Sequence, residues 1–148
     1  MANDNKCPGG FAWGKWVSLF CAFSFLMLGG DATLNHVKVL TENHFSYTPL
    51  IFAPLAVVLC LAAFGSQRFR RGAWVVGLLA LLVGAAGTGF HVFYDFADSQ
   101  GLTLWQAAVN ATRPPLAPGA FASTGILMVL VALAERWPLW KRRKGAEE

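Results

Sequence analysis

Charge is scarce in this chain of 148 residues: Asp, Glu, Lys and Arg make up 14% of it, against 55% hydrophobic residues and a mean hydropathy of +0.47. A soluble globular domain carries about a quarter charged residues, so the deficit excludes that class. Cysteine is scarce too, with three residues. Cys7 precedes the first apolar run, and Cys21 and Cys60 lie inside apolar runs, which suits small apolar filler and not a disulfide framework. HExxH and CxxC pairs are missing, as is any phosphate-binding loop. The "GTGF" at 87–90 lacks both the following glycine and the strand context of a dinucleotide site. No Ser–His or Cys–His pairing falls at a matched depth, so nucleophilic catalysis has no support. There is no internal repeat, and the polar segments are too short to form a second domain.

What the chain does have is four apolar runs, at 16–36, 47–65, 73–93 and 116–135. A hydrocarbon core of about 30 Å takes roughly 20 apolar residues per helix, so each run is long enough to cross it. The expected fold is an all-α membrane protein, a single domain over 1–148 with four transmembrane helices in an up-down bundle. "MLGGDA" at 27–32 is similar to a signal-peptide cleavage site, but Asp31 near the end of that run argues for a retained span.

Basic residues set the orientation, because Lys and Arg are held on the cytoplasmic side. Lys6, Lys15, Arg68, Arg70, Arg71, Arg136, Lys141, Arg142, Arg143 and Lys144 fall on one side, ten of the twelve, and only Lys38 and Arg113 on the other. Both termini are therefore expected in the cytoplasm of a bacterium, the chain being multi-pass in its inner membrane. Trp13, Trp16, Trp74, Trp137 and Trp140 gather at the same boundary, as interfacial tryptophans do. The net charge of +4 is accounted for by topology, not by nucleic-acid binding. The "WKRRK" tail can rest on anionic headgroups. Between the third and fourth spans, "LTLWQAAV" reads as a short interfacial helix anchored by Trp105.

With that topology all three histidines, His36, His44 and His91, share the outer side with Asp31, Glu42, Asp95 and Asp98. Residues three, four or seven apart share a helix face. Gly77, Gly84, His91 and Asp98 recur every seven residues, with Thr88 and Asp95 beside them, and a small-residue stripe permits close helix approach in lipid. Ala80 is expected off that stripe. Ser24, Asp31 and Asn35 form a second polar stripe, while Phe20, Phe23 and Leu34 look outward. The two stripes together would enclose a periplasm-side His/carboxylate chamber, since ionisable groups in a membrane seek partners or water.

Imidazole with carboxylate is the ligand set of zinc, copper or iron. The expected metal ligands are His36, His44, His91, Asp31 and Asp95, and one haem b held by His36 and His91 is the related possibility. Arg113 is the strong cation near the outer carboxylates and is expected to pair with one of them.

"LNHVKVLTENHFSYTPLIFAPL", "GAAGTGFHVFYD" and "RPPLAPGAFA" resemble the motifs of a loosely defined set of small four-helix bacterial integral membrane proteins of uncharacterised function. The resemblance covers most of the chain and carries over only His36, His44, His91, Pro114, Pro115 and Pro118. It implies no activity. Asn35 stands where an Asp is usual, which weakens the case for a carboxylate beside His36. The functional expectation is a metal or haem site in a redox or metal-handling role. The alternatives are a cofactor-free accessory subunit of a larger membrane complex or homo-oligomer, and a proton or ion path. The path is disfavoured because the inner halves of the spans lack relay groups.

Overall fold

The computed structural model describes residues 13–37, 40, 44–98, 101–109 and 116–144, nearly all of them helical, with no strand among them. In chain order the elements are α1 (Trp13–His36), a 3₁₀ turn (His44–Ser46), α2 (Tyr47–Gly65), α3 (Gln67–Gly72), α4 (Trp74–Asp98), α5 (Leu104–Val109) and α6 (Leu116–Lys144). Four stretches are long and apolar enough to cross a membrane: Trp13–His36, His44–Gly65, Trp74–Ala97 and Ala117–Arg136. Lipid offers the backbone no hydrogen-bond partners, so an apolar run of this length satisfies its own N–H and C=O groups as a helix. α2 continues through Pro54 despite the missing donor. It stops at Ser66, whose extended backbone (φ −141°, ψ 128°) separates it from α3.

The four long helices pack as two close pairs, α1 with α2 and α4 with α6. α1 also packs on α6 and so joins the pairs, while α2 and α4 meet only slightly. The α4–α6 seam is built on backbone contact. A Cβ on Gly77 would lie 2.6 Å from the Gly125 carbonyl oxygen, and one on Gly84 would lie 2.6 Å from the Ala122 nitrogen and 2.7 Å from the Pro118 carbonyl oxygen. The seven-residue glycine recurrence thus marks a real contact face. Ala80 corrects the expectation made for it: it is fully buried, and a Cβ on Gly125 would stand 2.9 Å from the Ala80 methyl. It belongs to the seam.

The core joins both pairs. Phe25, Phe52 and Phe121, from α1, α2 and α6, form an aromatic trio, with Phe25 edge-on to Phe52 at 5.8 Å and 6.0 Å from Phe121. Below it Cys60 Sγ lies 3.7 Å from Met128 Sδ, and Cys21 Sγ lies 3.9 Å from the Thr124 carbonyl oxygen. Both cysteines are free and buried, as small apolar filler is. Phe20, Phe23 and Leu34 are exposed, as are Ile51, Leu55, Val58, Leu82 and Phe93. Apolar surface of this extent on transmembrane-length helices is what a lipid bilayer covers.

Candidate functional site

The last turn of α1 and the outer part of α4 bring two of the histidines together. The His36 and His91 rings lie 6.1 Å apart between centroids, tilted by 31°, and both residues are half-buried. His36 Nδ1 is 2.8 Å from the Ala32 carbonyl oxygen. A carbonyl only accepts, so Nδ1 carries the proton, and in the neutral ring Nε2 is left with the lone pair. Ala32 itself is buried, and His36, four residues on, follows it along the inward face.

The remaining candidates sit differently. Asp31 and Asn35 are exposed on α1 and bond to one another: Asn35 Nδ2 donates to Asp31 Oδ1 at 3.0 Å and to the Asp31 carbonyl oxygen at 2.9 Å. Ser24 Oγ donates along its own helix to the Phe20 carbonyl oxygen at 3.0 Å. His44 is exposed at the start of the 3₁₀ turn. The neighbouring Phe45 ties that turn to α4 through Phe90, at 5.2 Å. Asp95 lies one turn beyond His91 and is half-buried. Among the described residues no three His, Cys, Asp or Glu side chains gather closely enough to hold a metal ion. The two imidazoles therefore meet without the five-residue ligand set expected of them. Arg113, Lys38 and Glu42, and the side chain of Asp98, lie outside the described residues.

The opposite end of the bundle holds a polar network. Glu135, near the end of the fourth span, accepts from Arg70 Nε at 2.7 Å and from Gln67 Nε2 at 2.8 Å. Arg70 Nη1 also donates to the Ala63 carbonyl oxygen at 2.9 Å, closing the C-terminal turn of α2. Arg136 Nε donates to the Arg71 carbonyl oxygen at 2.9 Å, and its guanidinium lies 5.7 Å from the Trp74 ring. Lys15 Nζ stands 4.6 Å from the Phe64 ring and 5.9 Å from that of Trp16. Sequence reasoning treated Glu135 only as the end of a span. The available signal was that it is an acid placed among many bases, with Gln67 and Arg70 three residues apart on one helix face.

No protein-family model matches the chain, and comparison with curated proteins and with solved structures returns no match either. The likeness to small four-helix bacterial membrane proteins thus rests on its short motifs alone.

Proposed function

We propose that this chain is an up-down four-helix protein of a bacterial inner membrane, with both termini cytoplasmic and α5 at the opposite interface, and that His36 and His91 form a metal or haem site. Support for the orientation comes from the collection of Lys15, Arg68, Arg70, Arg71 and Arg136 at the end away from the histidines. The site rests on one observation, the 6.1 Å approach of the two rings with His36 Nδ1 fixed on a carbonyl. That second bond is the usual way a ligating imidazole is oriented. On one ion His36 would offer Nε2 and His91 a ring nitrogen, with metal–nitrogen bonds of about 2.0–2.1 Å.

The donor set limits the group. A closed structural zinc site takes four protein ligands, which the described residues do not offer. Two imidazoles suit a centre that takes its other ligands from elsewhere, or a haem that His36 and His91 would hold. Bound there, a metal supplies Lewis acidity or an electron-transfer centre. The chain's own part is to hold His36 in one tautomer and to bring the ring from the last turn of α1 within 6.1 Å of the one from the outer part of α4.

The test is elemental analysis and an absorption spectrum of the purified protein beside His36→Ala and His91→Ala. A haem band or near-stoichiometric metal in the parent, lost in both variants while thermal unfolding stays cooperative, is expected. A metal-free, haem-free parent that either substitution destabilises would make the pair a packing contact. The chain would then fit the accessory-subunit role better.

A further inference from the structure

We infer that the α3 end of the bundle is a docking collar for the headgroups of anionic phospholipids. The collar is formed by Lys15, Arg68, Arg71 and Arg136 between Trp16 and Trp74. It is independent of the histidine site and of which leaflet the end faces.

The argument begins with the charge balance. Among the described side chains this end carries five bases and one acid, Glu135, and Glu135 is already committed to Arg70 and Gln67. Lys15, Arg68, Arg71 and Arg136 make no ion pair among the described residues, where the Arg70–Glu135 bridge is the ion pair found. Arg71 Nε has no hydrogen-bond partner among the described residues.

Position comes next. Trp16 is 51% exposed and Trp74 39% exposed, and tryptophans at the ends of membrane-crossing helices sit at headgroup level. Each has a cation over or beside its ring, Lys15 at Trp16 and Arg136 at Trp74, which draws those two charges to that level. Cations at headgroup depth, outnumbering the acids among the described residues, fit the phosphates of anionic lipids.

Full-length protein in phosphatidylcholine bilayers is titrated with brominated-chain phosphatidylglycerol, and separately with brominated-chain phosphatidylcholine. Tryptophan quenching then gives the relative affinity of the two headgroups. Phosphatidylglycerol is expected to be favoured, with the preference shrinking as salt is raised. Each of Lys15→Gln, Arg68→Gln and Arg136→Gln should lower the preference roughly five-fold, the effect of one charge near an anionic surface. Arg136→Lys, which keeps the charge, should retain it, and the double change Lys38→Gln with Arg113→Gln should leave it intact. Should Arg136→Gln unfold, Lys15→Gln and Arg68→Gln give the same readout without removing a hydrogen bond of the fold. Equal quenching by the two lipids, or an undiminished preference in the substituted proteins, would overturn the inference. So would abolition of the preference by millimolar inorganic phosphate, which would assign the collar to a soluble anion.

Discussion

The two ends of the bundle are built on different principles. At the α3 end, charge-assisted bonds join residues far apart in the chain: Arg70 to Glu135 at 2.7 Å and Arg136 to the Arg71 carbonyl at 2.9 Å. At the histidine end, the hydrogen bonds of Asn35 and His36 run along α1 itself, and ring contacts such as His36–His91 and Phe45–Phe90 make the crossings between elements. Local bonds fix a side chain relative to its own helix, whereas long-range bonds fix one helix relative to another. The α3 end is therefore the clamp, holding α3 to α6.

α4 runs from one regime into the other, and two of its glycines separate them. Gly84→Leu should cost about 3 kcal/mol or more, because the added side chain meets the α6 backbone, which cannot rotate away. Gly89→Leu, where a Cβ would meet nothing within 4 Å, should stay within about 0.5 kcal/mol. Thermal unfolding in detergent measures both, and equal losses would erase the distinction between seam and open end.

A second pair of substitutions compares the carboxylates. Glu135→Ala leaves a mostly buried Arg70 without its partner and should cost about 2 kcal/mol, below the range for fully buried pairs because the side chains of Arg70 and Glu135 remain 13% and 18% exposed. Asp31→Ala removes an exposed bond within one helix and should cost no more than about 0.5 kcal/mol. Chemical denaturation of the two variants side by side reads the contrast. Were Asp31→Ala the worse, the histidine end would be the tighter one.

Smaller effects test the ring contacts. Phe45→Ala removes the stacking on Phe90 and should cost about 1 kcal/mol. It should also speed amide hydrogen exchange over residues 44–46 while leaving α3 unchanged. Lys15→Gln, which loses only contacts of a cation with Phe64 and Trp16, should cost less than about 1 kcal/mol by the same unfolding measurement.

The spans were readable in the sequence because lipid imposes a simple demand, about 20 apolar residues closed on their own hydrogen bonds. The seam was partly readable. Gly77 and Gly84 marked it through their spacing, but a strict seven-residue repeat hid Ala80, which is three residues from one and four from the other and so lies on the same face. The approach of His36 to His91 followed from topology, while the bond of Asp31 to Asn35 was not foreseen. Asp31 and His36 are five residues apart, which on a helix is about 140° of rotation, so the two side chains leave α1 in different directions. The Arg70–Glu135 bridge was beyond local pattern altogether, since it joins positions 65 apart and depends on how α6 returns to α3.

That return has a consequence for how the protein is made. α1 and α2 are synthesised before α4 and can pair at once, but the remaining faces of α1 and α4 are covered by α6, which follows them in the chain, and α2 and α4 have little contact to hold them meanwhile. Until α6 arrives, little holds α4 on the α1–α2 pair, and Gly77 and Gly84 lack the backbone they pack on. Assembly thus waits for the synthesis of α6. A chain stalled or cut before residue 116 would be expected to remain inserted yet unassembled, a substrate for membrane quality-control proteases and not a smaller working protein.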